Sequence, residues 1–346
     1  MSKKRIGWID VVRCFAMVLI IVGHTYATGF AQYLIYAINV PVFFILSGYL
    51  TKIKPLKRVA LNGIKTLLIP YVITVLLMLT IGGFNKIFNT RWIYPTNLKQ
   101  LIVAGIYGIG TPSTITVFRG HNIDAIGAIW FLLAMYIGNI LYQLILRIGR
   151  LHSDRYPLII MFIICIILAI VGFEISKFVI LPWSMNASLI SLIFYFSGHI
   201  MKIYKLTELK MINLMLSILG LFLWIMSAVL GPFWFNIGYA AHPTVDVIGA
   251  IGGSYFLILL FKYIDRTNWM KLTPYFGRIS LIMLSVHIVH IKMFNDVNII
   301  SNYLLKIGIG TVVTGILMDL YRLAICLFIS FLLSKSILIK RIFAIR

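Results

Sequence analysis

The stretch from Trp8 to His24 is apolar apart from three residues: Asp10, Arg13 and His24. As a helix it sets Arg13 and His24 eleven residues apart, three turns plus roughly 20°, on one face and about 16 Å apart along the axis. Asp10 precedes Arg13 by three residues and can pair with it. Ionisable groups inside an apolar helix are costly and mark a pathway or a reaction site. The plainer alternative is a basic anchor followed by an interfacial histidine. An imidazole so placed can act as a general base or as a nucleophile.

The elements that must hold these groups are membrane helices. Hydrophobic residues make up 61% of the chain, charged residues 12%, and mean hydropathy is +1.00. Soluble domains run near half apolar and a quarter charged. The apolar runs are long and continuous, which indicates an all-α, polytopic bundle and excludes a barrel. Ten transmembrane spans fit, at 7–28, 34–51, 66–84, 127–146, 156–173, 185–201, 211–231, 245–261, 279–294 and 308–334.

The net charge of +22 does not point to nucleic acid, because the lysines and arginines form short clusters between spans. With the N-terminus inside, 22 of them fall on the cytoplasmic side and 7 outside. That asymmetry places both termini in the cytoplasm and suits contact with anionic lipid. A multi-pass protein of a cell membrane, of the bacterial cytoplasmic kind, is the expected localisation. Residues 1–346 read as one membrane-embedded domain with no separate soluble domain. Lys3, Lys4 and Arg5 precede the first span, but its length and its charges mark it as retained rather than cleaved. Cys14, Cys165 and Cys326 sit in apolar runs and read as core thiols. The longest connection, 85–126, lies outside and holds an apolar patch, Leu98–Tyr107, that lies in the interface or re-enters.

Several motifs recur in order after Arg13 and His24. They are Asn39-Val-Pro-Val-Phe-Phe-Ile-Leu-Ser-Gly-Tyr-Leu50, the basic loop Lys52 to Arg58, and Lys65-Thr-Leu-Leu-Ile-Pro70. Ala128-Ile-Trp-Phe-Leu-Leu133, Phe194-Tyr-Phe-Ser-Gly198 and Phe276-Gly-Arg-Ile-Ser280 with His287 follow. Together these resemble the acyltransferase-3 family of integral-membrane acyltransferases, and within it the sugar O-acetylase branch. Cys14, Asn39 and Lys65 depart from residues common in that family.

The resemblance implies transfer of an acyl group, acetyl above all, from cytoplasmic acyl-coenzyme A to a hydroxyl of an extracytoplasmic glycan or lipid-linked sugar. Acetyl-coenzyme A is then a substrate, and no resident cofactor is expected. Such chemistry needs a base for the hydroxyl and positive charge or N–H donors for the oxyanion. His24, about 27 Å along a span that starts at Ile6, reaches the outer interface, whereas Arg13 is about 10 Å in. His24 is the expected catalytic group, with Arg13 and Asp10 on the donor path. Lys52, Lys54, Lys57, Arg58 and Lys65 are candidates for the donor phosphates, although positive-inside charge explains any single lysine.

The remaining candidates concern the acceptor or the cavity. Ser47 beside Gly48 favours close helix packing or a ligand hydrogen bond. Arg119, His121 and Asp124 gather a cation, an imidazole and a carboxylate before the fourth span, where a solvated loop is an equal reading. Trp130 suits a sugar ring or an aromatic belt. His287 and His290 share a face without a carboxylate or thiol to complete a metal site, so no metal is expected. The resemblance makes His287 a polar group of the cavity. Asp319 and Arg322, three apart near the midplane, read as a pair. The rival functional reading is a transporter or flippase of a glycan precursor, with the buried ion pairs as gates. The chain shows no paired halves to favour it, and a non-enzymatic scaffold leaves the buried charges unexplained.

Overall fold

A computed structural model describes residues 6–24, 28–118, 120–152, 157–266 and 273–345. Among them the protein is a bundle of α-helices with a single two-residue hairpin, Phe233–Trp234 (β1) against Tyr239–Ala240 (β2). The helices are α1 (Gly7–Gly23), α2 (Gly29–Ile38), α3 (Pro41–Leu50), α4 (Leu56–Gly63), α5 (Ile69–Phe88), α6 (Leu98–Tyr107), α7 (Trp130–His152) and α8 (Pro157–Ser176). There follow α9 (Met185–Ile203), α10 (Met211–Leu230), α11 (Pro243–Arg266), α12 (Thr273–Arg278), α13 (Ser280–Met293), α14 (Asp296–Lys306), α15 (Thr311–Leu333) and α16 (Ile337–Ile342).

Helices occupy all ten segments marked as spans, but seven of the described helical segments are long and apolar enough to cross a membrane on those grounds alone. The remaining three are α1 with 17 residues, α13 with 14, and α9, which carries Asn186, three serines and His199. These three have the polar residues because they lie inside the bundle: ten of the fourteen residues of α13 are buried. By contrast, only 22% of the apolar window is buried in α8 and in α15, and those helices turn most of their surface to lipid. A hydropathy threshold favours the lipid-facing helices and passes over the ones that carry polar groups inward.

Two spans differ in detail from the sequence reading. The span drawn at 34–51 begins earlier and is two helices, with a turn at Asn39–Val40. Pro41 opens α3 because it has no N–H to give the Ala37 carbonyl. The helix drawn at 66–84 runs from Leu56 to Phe88 and passes through a π-helical turn at Ile64–Leu68, just before Pro70. The wider turn absorbs the hydrogen bond that Pro70 cannot make. The apolar patch of the long connection is α6, whose Asn97 cap accepts from the N–H groups of Lys99 and Gln100.

Close backbone contact fixes the centre. Gly48 of α3 and Gly198 of α9 lie directly against each other's helix, on the Tyr195 and Ile45 carbonyls, with no room for a Cβ at either. Gly277 of α12 sits in the same way on the Asp10 carbonyl of α1. Small residues at such crossings let helices pack without a side-chain layer between them.

Candidate active site

Two cavities lie along α1, one at its C-terminal end and one beside its middle turns, and share no lining residue. The His24 cavity holds about 360 Å³. Its wall comes from His24, from Gln32, Tyr36 and Asn39 of the α2 region, from Thr111, from Trp130 at the start of α7, and from the hairpin residues 233–237. Among the described residues of that lining, His24 is the only ionisable group besides the Tyr36 phenol.

His24 caps α1, and its Nδ1 is 2.7 Å from the Ile20 carbonyl. A carbonyl only accepts, so Nδ1 carries the hydrogen, and in the neutral ring Nε2 keeps its lone pair. Tyr36 donates to the Gly23 carbonyl at 3.0 Å, with its ring 5.6 Å from that of His24. Arg322, buried on α15, reaches the His24 carbonyl from the other side, Nη1 to O 3.4 Å. Both bonds meet carbonyls that the end of a helix leaves open, so they hold the backbone that carries His24.

Behind His24 is His287, fully buried, with no hydrogen-bond partner on either ring nitrogen among the described residues. One turn on, His290 Nε2 is 2.8 Å from Asp296 Oδ2, which also accepts from Tyr321 at 2.8 Å. Burial pushes the Asp296 carboxyl up, but the hydrogen bond and charge of His290 and the Tyr321 bond outweigh it and hold the group below the usual carboxylate range.

The Arg13 cavity holds about 490 Å³. Arg13 and Ser47 line it, with Thr66, Asn139, Arg278 and the 343–345 segment. Asp10 is buried and lies 3.7 Å from the Arg13 guanidinium. The Ser47 hydroxyl faces the Met135 sulfur at 3.9 Å. A smaller polar groove continues from it past Lys52, Lys54, Asn62 and Gln143. Phe43 and Phe131, which line the Arg13 cavity, stack with centroids 5.5 Å apart. Trp130, next to Phe131, already belongs to the His24 cavity. The partition between the two spaces is therefore one residue deep along α7.

A family model described as an acyltransferase domain matches residues 6–335. The chain belongs to the acyltransferase-3 family. This acyltransferase-3 protein is a multi-pass membrane acyltransferase. No curated protein and no solved structure matches it.

In the acyltransferase the structure gathers His24, Trp130, His287 and Arg322 around the C-terminal end of α1, and Asp10, Arg13 and Ser47 around its earlier turns. Lys52 and Lys54 lie on an exposed loop along the polar groove. Lys57, Arg58 and Lys65 are exposed and line neither cavity. His121 is exposed, Asp124 is half-buried with Asn122 at 3.4 Å, and Arg119 lies outside the described residues. Asp319 lies one turn before Arg322 on α15. Sequence reasoning passed over Tyr36, Thr111 and Asn236, and it quoted Asn39 and Arg278 within motifs without placing them in a site. The break at Asn39–Pro41 was the available signal for Tyr36 and Asn39, and the Phe-Gly-Arg motif for Arg278. Asn236 sits in a short hairpin that no periodicity announces.

Proposed function

We propose that this acyltransferase takes an acetyl group from cytoplasmic acetyl-coenzyme A and passes it to a hydroxyl of an extracytoplasmic glycan or lipid-linked sugar. It would cross the cell membrane ten times, with its termini in the cytoplasm of a bacterial cell. The observation that carries the reading is the pair of cavities on one helix, the first with two arginines and the second with a neutral-capable base. Arg13 and Arg278, with Lys54 nearby, are cations for the phosphates and oxyanion of a thioester donor. His24 takes the proton of the acceptor hydroxyl on Nε2, the nitrogen left free by the Ile20 bond.

Aromatic rings and amides support a sugar in the His24 cavity. Trp130, Trp234 and Phe235 offer flat apolar faces, and Gln32, Asn39 and Asn236 offer paired donors and acceptors. Met17 of the Arg13 cavity and His24 are two helical turns apart, about 10 Å. A thioester arm covers that distance once the Phe43–Phe131 stack parts. Mass spectrometry of surface glycans from cells carrying wild-type or His24→Ala protein tests the proposal. Acylated glycan with the wild type and none with the variant is expected. Glycan that is acylated in both, or exported only with the wild type, returns the reading to a flippase.

A further inference from the structure

A third cavity, of about 490 Å³, opens where the ends of α3, α7 and α9 meet the start of α8. It is built differently from the two described above. Its floor is aliphatic, from Leu146, Leu158, Met161 and Ile203. Lys52 and Arg150 stand at its exposed rim, and among the described residues none that lines it is acidic. His199 closes one side, held by Tyr142 at 2.9 Å. The neighbouring groove, which shares Thr51 and Lys52 with it, is lined instead by amides and hydroxyls.

The loop that carries Lys52 is fixed rather than trailing. Gln143 of α7 accepts from the Lys54 N–H at 3.1 Å and donates to the Lys52 carbonyl at 2.9 Å. Arg147 donates to the Lys54 carbonyl at 3.0 Å. Three hydrogen bonds thus fix the backbone of the Lys52–Lys54 loop beside the cavity that Lys52 and Arg150 both line. On the outer flank stands α8, apolar all round and mostly unburied, with Ile159, Phe162 and Ile163 exposed. The cavity therefore opens at helix ends beside the lipid-facing surface.

We propose that this cavity binds one anionic phospholipid. The phosphate sits between Lys52 and Arg150, and an acyl chain lies on the aliphatic floor along α8. Cations at the ends of helices above an apolar wall match an amphiphile with a negative head. A nucleotide would meet hydrocarbon where its base and ribose need polar partners. Lys52, which the sequence offers to the donor phosphates, is here a lipid ligand. The proposal rests on the membrane location alone and does not depend on the acetyl donor.

The test uses the full chain in phosphatidylcholine nanodiscs, titrated with fluorescent phosphatidylglycerol and, separately, with fluorescent phosphatidylcholine carrying the same chains. Two cations at about 1 kcal/mol each correspond to roughly 30-fold preference for the anionic lipid. Lys52→Gln with Arg150→Gln should remove that preference, and Lys340→Gln with Arg341→Gln, an equal loss of charge on exposed α16, should keep it. Leu158→Trp fills the floor while sparing both cations, and it should also lower retention. Equal binding of the two lipids, or equal loss in the α16 variant, overturns the proposal in favour of general surface charge. Displacement of the bound lipid by adenosine 3′,5′-bisphosphate overturns it in favour of a nucleotide site.

Discussion

The imidazoles of His24 and His287 stand edge to face, their centroids 5.5 Å apart and their planes at 71°. His24 faces a cavity and His287 is sealed within α13, so the second ring forms the back wall of the first. Buried polar groups without partners are uncommon and call for an explanation. Here the explanation is positional: a flat ring of this size keeps His24 from turning away from its Ile20 bond.

If so, His287→Ala lowers kcat about tenfold or more, because a misplaced base loses orientation, while KM for the acceptor stays near its wild-type value. His287→Asn, smaller but polar, should not restore the rate, and His287→Phe should restore part of it. A merely structural role would instead show as reduced protein in the membrane for all three.

Tyr36→Phe removes one hydrogen bond to the Gly23 carbonyl and leaves the ring beside His24. A net hydrogen bond is worth about 1 kcal/mol. The expected result is a loss of up to about fivefold in kcat, with normal membrane levels, measured on purified protein.

Opening the partition should uncouple the enzyme. Phe43→Ala together with Phe131→Ala joins the two cavities and lets water reach the donor's thioester. Acyl-coenzyme A hydrolysis without any acceptor should rise above wild type, and transfer should fall. Release of free thiol, followed by a colorimetric reagent, reads both. An unchanged hydrolysis rate would mean that the stack does not separate donor from water.

Gly48→Leu or Gly198→Leu should abolish accumulation of folded protein, because each Cβ would meet backbone of the facing helix. Ser47→Ala, next to one of these glycines, should accumulate normally. Size-exclusion chromatography of a fluorescent fusion distinguishes them.

Cysteines placed at Lys99 and Lys205 should label from opposite sides of the membrane. Labelling from the same side would remove the ten-span arrangement and the donor and acceptor sides with it.

The helices were legible because lipid imposes long apolar runs. That His24 and Arg13 each line a cavity was legible because both are expensive in an apolar helix. What surrounds His24 was not. Tyr36 and Asn39 reach it only because Pro41 breaks a span that hydropathy reads as one, and Asn236 arrives on a hairpin of two residues per strand. Arg322 was legible as a buried charge three residues from Asp319, yet the approach of its guanidinium to the His24 carbonyl crosses 298 residues of chain. No local spacing encodes that contact.

That span of chain sets an order of events during biosynthesis. The ribosome delivers α1, with Asp10, Arg13 and His24, well before α15. Until α15 arrives, the carbonyl end of α1 lacks the guanidinium that braces it. A nascent chain with most of its helices inserted would hold a histidine that is present but not yet locked in place. The bracing of His24 is thereby tied to the arrival of α15, and a ribosome stalled before Arg322 would leave the carbonyl end of α1 unbraced in the membrane.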